Sequence, residues 1–573
     1  MDTRPQVARR IDVSAIASEL RTGTASNRWL ARWLPETYAQ PLAFEQALRA
    51  HAALRRGGLK SSPSGVIDFY YDCVTAHLGQ QKRALVVREK AYSSELSYEA
   101  LHVRCGALLS AWADSGVKPG QCVCLVLKMG VDYIVALMTA LRMGLIVCSL
   151  PPEGPTFLRH RLEALAPDAV VADARARSSL QSWGFAALST SGTRDSGAAG
   201  SHGYLADDPA LRLFSRFGDS GRTPLDLAAG PLLAGLLRDA LLVFALDAKD
   251  TLAMPGFDAL TCQPTALLST LMAGASWAEL SVQELASYPQ ALAEQGVTVL
   301  GVNRELREQL LSSGKWPNGQ LRAWFRSLTD ALEIPPWDAF GRLALTAGVS
   351  GFNLALSAAA GGALLFSAPL KDGLGLQVWP PPGQSFQLSE VGAAELPALG
   401  DAGIYTRLLG EEVVAGAPRI FLTRAADGYV FSGSIDVGPD SMTYPIDEVG
   451  ALIEQHPGVE YASVVVTPGR MINDARVTLL VFVESLEDLA RATVPWAASE
   501  LSALIAREMA SNFLPSRIEI FPLRPRVIDG AVDRSWCRSQ YLSGALGSKS
   551  RREIFLLLSR LGYLLDVRER ASG

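Results

Sequence analysis

The stretch Ser215-Arg216-Phe217-Gly218-Asp219-Ser220-Gly221-Arg222 gathers glycines, hydroxyls and charged side chains in a short span. Ser220 offers a hydroxyl, Asp219 a carboxylate and Arg222 a cation, but the Gly218-Asp219-Ser220-Gly221 turn taken alone reads as a surface loop. Cys73, Cys105, Cys122, Cys124, Cys148, Cys262 and Cys537 include no Cys-x-x-Cys pair and sit mostly in apolar runs, so buried reduced thiols and a cytoplasmic location are expected. The six histidines show no metal-ligand spacing, and no metal is expected. Neither a Cys-His nor a Ser-His-Asp arrangement can be assembled from spacing. Asp219, Ser220, Arg222 and Asp436 are the polar residues left to nominate for transfer chemistry.

These residues need a large scaffold. A chain of 573 residues is too long for one compact core, and 49% hydrophobic against 19% charged content makes it globular. The 53 basic and 58 acidic residues leave a net charge of −5, which argues against a nucleic-acid partner. The first residues carry arginines but no apolar core of secretory-signal length, and Asp2 and Asp12 argue against a transit peptide. Leu343 to Leu370 lacks charge, yet its Gly, Ala and Ser content and Asn353 predict buried strands and turns and no membrane span. Residues 1–64 are helix-prone and end in the breaker GGLKSSPSG. From ALVVRE (84–89) onward, strand and helix patterns alternate, which predicts an α/β domain. The expected division is a helical extension (1–64), a large layered α/β domain (65–435), a small α+β lid (436–540) and an amphipathic tail (541–573). The tail stripe is Ile554, Phe555, Leu558, Leu561 and Leu565.

Several segments, in order, resemble the acyl-adenylate-forming superfamily of acyl-CoA synthetases and adenylation domains. They are LSYEAL, SGVKPGQCVCLVLKMGVDYIVALMTALRMG, ADGYVFSGSID, EVGALIEQHPGVEYASVVV and DGAVDRSW, spread over about residues 65–540. The resemblance implies a layered N-terminal domain with a C-terminal lid, and chemistry in which a carboxylate attacks the α-phosphate of ATP.

The residues such chemistry uses are largely replaced here. Residues 215–225 match the phosphate loop, keeping Gly218, Ser220 and Gly221, but Pro224 or Leu225 stands at its lysine position. The Tyr-Gly-x-Thr-Glu motif, whose glutamate helps hold magnesium, matches Ala347-Gly348-Val349-Ser350-Gly351, leaving Gly348 and the Ser350 hydroxyl. The ribose-binding aspartate becomes Ile420. The hinge is Gly433-Ser434-Ile435-Asp436, with serine for arginine and Asp436 kept. The lysine that bridges carboxylate and phosphate is Ala531. Phe257 and Leu260, in MPGFDAL, are candidate lining for a substrate pocket, with plain core as their alternative reading.

Three functions fit this pattern. The first is a catalytically degenerate protein that binds an acyl or aryl small molecule, a carrier protein or a biosynthetic partner enzyme. The second is a repurposed enzyme performing ATP-independent acyl transfer in the same cleft. The third is a non-standard ligase that draws its cations from Arg222 and Arg526. No cofactor is expected, with ATP and magnesium entering only under the third.

Overall fold

The run Cys122-Val123-Cys124-Leu125-Val126 is apolar at every position, the pattern of a strand covered on both faces, and all five residues are buried. Strands of this kind build two sheets. The computed structural model describes residues 11–56, 66–89, 92–152, 154–192, 200–214, 223–257, 262–313, 316, 319–328, 333–370, 375–385, 389–390, 400–403, 406–408, 411–413, 419–425, 428–434, 444–468, 475–483, 495–509 and 513–549. Of the expected tail stripe, Ile554 to Leu565 therefore lies outside the described residues.

In chain order the first strands are β1 (Arg83–Glu89), β2 (Tyr92–Ser97), β3 (Cys122–Val126), β4 (Ile146–Leu150), β5 (Ala169–Ala172), β6 (Ala187–Leu188), β7 (Pro209–Leu213) and β8 (Leu225–Ala228). They continue with β9 (Thr251–Ala253), β10 (Ser276–Glu279), β11 (Val299–Gly301), β12 (Ala323–Ser327), β13 (Ser350–Ser357) and β14 (Gly362–Phe366). One sheet has the order β6-β5-β3-β4-β7-β8, parallel except for the β7–β8 hairpin. The other has the order β14-β13-β12-β11-β9-β10-β1-β2, with six parallel strands inside antiparallel edges. Helices connect the parallel strands, as such connections require. Val131–Met143, for example, links β3 to β4 and ends at Gly144 in the left-handed region. A five-stranded antiparallel sheet containing Arg419–Ala425 and Gly428–Ser434 follows β14 in the chain.

The chain divides into two units. The larger contains Met1–Pro152, Leu162–Asp436 and Met471–Asn473; the smaller contains Glu153–Arg161, Val437–Arg470 and Asp474–Gly573. Helices Val13–Arg21, Asn27–Ala39 and Pro41–Arg56 are not an appendage. Val13, Ile16, Leu30, Leu34, Phe44 and Leu48 join the main core of the larger unit. The Leu343–Leu370 stretch forms the end of helix Ile334–Thr346, then β13 and β14, and no described helix is long and apolar enough to cross a membrane.

The smaller unit has a three-stranded sheet, Tyr461–Pro468 antiparallel to Ala475–Phe482, with Arg517–Phe521 parallel to the latter. Helix Ile446–Glu454 packs on the first strand. The early segment Glu153–Arg161 completes this unit: Phe157 packs on Phe513 with ring centroids 5.0 Å apart, and Arg161 pairs with Glu448 at 2.6 Å. A Cβ at Gly154 would collide with the backbone of Met509, so only glycine fits that approach.

At the N-terminal edge of the eight-stranded sheet, Asp250 is 2% exposed and gathers several elements. Its carboxylate accepts from Thr298 Oγ1 (2.7 Å), Arg322 Nε (3.0 Å), Arg21 Nη1 (2.5 Å) and the Asp247 backbone (2.8 Å). Burial alone would raise the Asp250 carboxyl, but the bonds from Arg322 and Arg21 outweigh it and hold the group at about 2. A depressed pKa means that the stabilisation is complete above the ordinary value of 3.8 and is lost as pH falls towards 2. Asp250→Asn is expected to cost about 3–5 kcal/mol, the penalty for breaking a buried pair, read as a lower urea midpoint at pH 7. The same variant should flatten the fall in stability between pH 4 and 2.

Candidate functional site

In open α/β sheets, ligands sit beyond the carboxyl ends of parallel strands. At that edge β9 runs into Met254-Pro255-Gly256-Phe257, and β11 runs into Val302-Asn303. Asn303 ties the two loops: its Nδ2 donates to Gly256 O (3.3 Å), while its Oδ1 accepts from Leu306 N (2.9 Å) to cap helix Arg304–Ser313. Gly256 has φ +75° and a Cβ there would strike Asn303, so the turn presenting Phe257 depends on glycine. The Phe257 ring meets Phe325 edge-on at 5.4 Å, and Phe325 also packs on Phe244 (5.6 Å) and Phe352 (5.4 Å). Gly301 leaves the room for this: a Cβ there would lie 2.9 Å from Phe257 Cε2 and 3.0 Å from Phe325 Cζ. Phe257, half-buried, thus packs against the buried Phe244–Phe325–Phe352 core cluster. Leu260 lies outside the described residues.

Glu279 ends β10, the neighbour of β9, and its Oε2 accepts from Trp277 Nε1 at 3.0 Å. Burial raises its carboxyl to about 7, against the lowering effect of the Trp277 bond. Sequence alone did not single out Glu279, Asn303 or Gly301; a lone glutamate inside the apolar run Ala275–Leu280 was the available signal.

At the end of β13, Ser357 leads into the helical turn Ala358–Ala360, then Gly361 and Gly362. This turn packs against β7 and β8, the hairpin whose loop carries Gly218, Asp219, Ser220, Gly221 and Arg222. Those five loop residues lie outside the described residues, as does Asp436. The turn is braced from beneath by a buried pair. Arg238 Nε donates to Asp239 Oδ1 (2.7 Å), Asp239 Oδ2 accepts from Ala363 N (2.7 Å), and Arg238 Nη2 donates to Ala363 O (3.1 Å). Burial raises the Asp239 carboxyl, with Arg238 opposing the shift.

The structure does not bring Gly348 and Ser350 to this hairpin. They stand at the start of β13, and Ser350 is separated from Ser357 by seven residue steps, about 23 Å of strand. Gly348 has φ +75° and closes helix Ile334–Thr346, its N–H bonding Leu345 O (2.9 Å) while Val349 N bonds Ala344 O (3.0 Å). That glycine answers a helix-capping need. A Cβ on Gly23, between the first two helices, would come 2.8 Å from Ser350 Oγ, so Ser350 faces the N-terminal helices. The residues beside the hairpin are Ala358, Ala359 and Ala360, all buried and none able to bind a metal.

The architecture has counterparts among solved structures. An o-succinylbenzoate CoA synthetase from Bacillus subtilis matches with TM-score 0.63 and 13% identity over 82% of this chain and 98% of its own. A fatty acyl-adenylate ligase from L. pneumophila matches with TM-score 0.61 and 13% identity, covering 83% of this chain and 96% of that one. The chain has the adenylate-forming fold. An artificially fused adenylation–PCP di-domain from Klebsiella oxytoca also shares it, with TM-score 0.61 and 14% identity over 79% and 93% of the two chains. In sequence, an acetyl-coenzyme A synthetase from Halorhodospira halophila is 30% identical over 127 residues, which span 21% of this chain and 20% of that protein. The match therefore covers about a fifth of that relative's length. No family model matches the chain.

Within this adenylate-forming fold, Ala531 is exposed on the short hairpin Val527–Ile528/Ala531–Val532. The neighbouring Asp533 caps helix Arg534–Leu542 by accepting from Trp536 N at 2.9 Å. All seven cysteines are buried and none forms a disulfide, and burial pushes Cys105 and Cys122 each up to about 12, which makes them poor nucleophiles. Among the described residues, no group of three His, Cys, Asp or Glu side chains is placed to hold a metal.

Because Glu279 keeps its proton to about pH 7, the folded protein holds a proton between about 4.5 and 7 that the unfolded chain has released. Its contribution to stability therefore falls as pH rises through that window. Glu279→Gln should remove this slope, which urea midpoints of both proteins from pH 4.5 to 8 would show.

Proposed function

We propose that this adenylate-forming fold serves as a binding scaffold for an acyl or aryl small molecule, a carrier protein or a biosynthetic partner enzyme, without ATP-dependent adenylation. The observation that carries this reading is the turn Ser357-Ala358-Ala359-Ala360, which packs against β7 and β8 and offers no carboxylate to a metal. Ala531 supports it independently, since an exposed methyl group supplies no charge to reacting oxygens. Loss of one preorganised donor costs about 10²–10³ in rate, and groups that act as a unit fail together. Phe257, half-buried on the turn after β9, is the aromatic side chain that favours an apolar or aryl ligand at this sheet edge. The adenylation–PCP fusion among similar folds supports a carrier protein as the partner class.

Calorimetry with ATP and magnesium, paired with pyrophosphate exchange over a panel of carboxylic acids, tests the reading. Millimolar or weaker ATP binding with no carboxylate-dependent exchange is expected. Ala531→Lys should leave exchange at background, because it restores one charge without supplying a metal ligand. Micromolar ATP binding with exchange in the wild-type protein would overturn the proposal.

A further inference from the structure

One register row runs across six adjacent strands of the eight-stranded sheet and meets its carboxyl edge at β10, β9 and β11. Val87 on β1 stands opposite Glu279 on β10. Ala278 opposite Ala253 brings Glu279 level with Met254, and Leu300 opposite Ala253 brings Met254 level with Gly301. Gly301 pairs with Phe325 on β12, and Phe325 with Phe352 on β13. Residues in register share a face of the sheet. Trp277, two residues before Glu279, sets that face against the core that holds Met254, Phe325 and Phe352. Glu279 is the single polar side chain in this row. It lies about 10 Å from Gly301, two strand spacings away, and Phe257 lies over Gly301 where a Cβ would stand.

The bonding of Glu279 is half complete. Its Oε2 accepts from Trp277 Nε1 at 3.0 Å, and among the described residues no donor meets Oε1. Val87 and Met254 flank it without charge, and the charge acting on it is a second carboxylate, Glu284 of helix Val282–Ser287. Burial, with Glu284 adding to it, keeps the Glu279 carboxyl up at about 7. A partly buried acid beside a like charge is held protonated for want of a cation. A ligand cation supplies that charge and makes a charge-assisted bond to the free oxygen, whereas a neutral donor supplies only a weaker bond.

We infer that the ligand at this edge is an amine with an apolar or aryl body, its ammonium group on Glu279 Oε1 and its body over Met254 against Phe257. This rests on the reading of an apolar or aryl ligand beside Phe257 given above, and adds the charged group that such a ligand carries.

Calorimetry on the full chain from pH 5.5 to 8, with 2-phenylethylamine and its neutral analogue 2-phenylethanol as probes, tests the inference. At pH 8 the amine should bind at least about tenfold tighter than the alcohol. Below about pH 7 a proton competes with the ammonium group for Glu279, so amine affinity should fall about tenfold per pH unit while alcohol affinity stays level. Glu279→Gln should abolish both the preference and the slope, with its urea midpoint as the check on folding. Phe257→Ala should weaken both probes. Amine affinity that is level across the pH range, or unchanged in Glu279→Gln, would overturn the inference. Binding of both probes without preference, weakened alike by Phe257→Ala, would overturn it while leaving the aryl reading in place. Binding of neither probe would overturn both.

Discussion

Asp250 is the constraint on which the placement of the N-terminal helices and the start of the parallel sheet depend. One buried carboxylate joins Arg21 from the first helix, Arg322 from the approach to β12, Thr298 from the approach to β11 and the Asp247 turn. The cost of burying that charge is met only when all these elements are in place together. The sheet therefore has two unlike edges. Its N-terminal edge is closed by an ionic knot and covered helices, whereas its C-terminal edge leads into glycine-bearing turns at Gly256 and Gly361. The Arg238–Asp239 pair does for β14 what Asp250 does for the helices, fixing a backbone turn through buried charge.

Much of the scaffold was legible in the sequence because it is written in periodicity. Helix Val131–Met143 and the strand beginning at Cys122 follow from apolar runs bounded by Lys-Pro-Gly and Gly, which leave few alternatives. The order of scaffold segments was enough to identify the fold, although the similar structures share only 13–14% of their residues with this chain. The helices within residues 1–64 were readable as helices but not as core, because a stripe such as Leu30 and Leu34 does not say which surface it will meet.

The site was harder to read. Gly348 attracted a motif match through its residue type, yet its left-handed backbone closes a helix, and a glycine in sequence does not announce which of these it does. Phe257 was visible as an aromatic after a strand, but its packing required Gly301 and Phe325 from strands that follow it in the chain. Glu279 owes its interest to burial, which no linear pattern reveals for a single charged residue between apolar neighbours.

The composition of the smaller unit bears on how the protein is made. Phe157 and Arg161 leave the ribosome on the order of tens of seconds before Glu448 and Phe513 do, at ordinary elongation rates. Throughout that interval an aromatic ring and a cation destined for burial stand without their partners, open to holding by chaperones. A gene fragment beginning after Asp436 would encode three strands and their helices but omit the segment that covers Phe513 and neutralises Glu448. Shuffling this unit between proteins as a terminal cassette would therefore require carrying a second, distant exon-sized piece along with it.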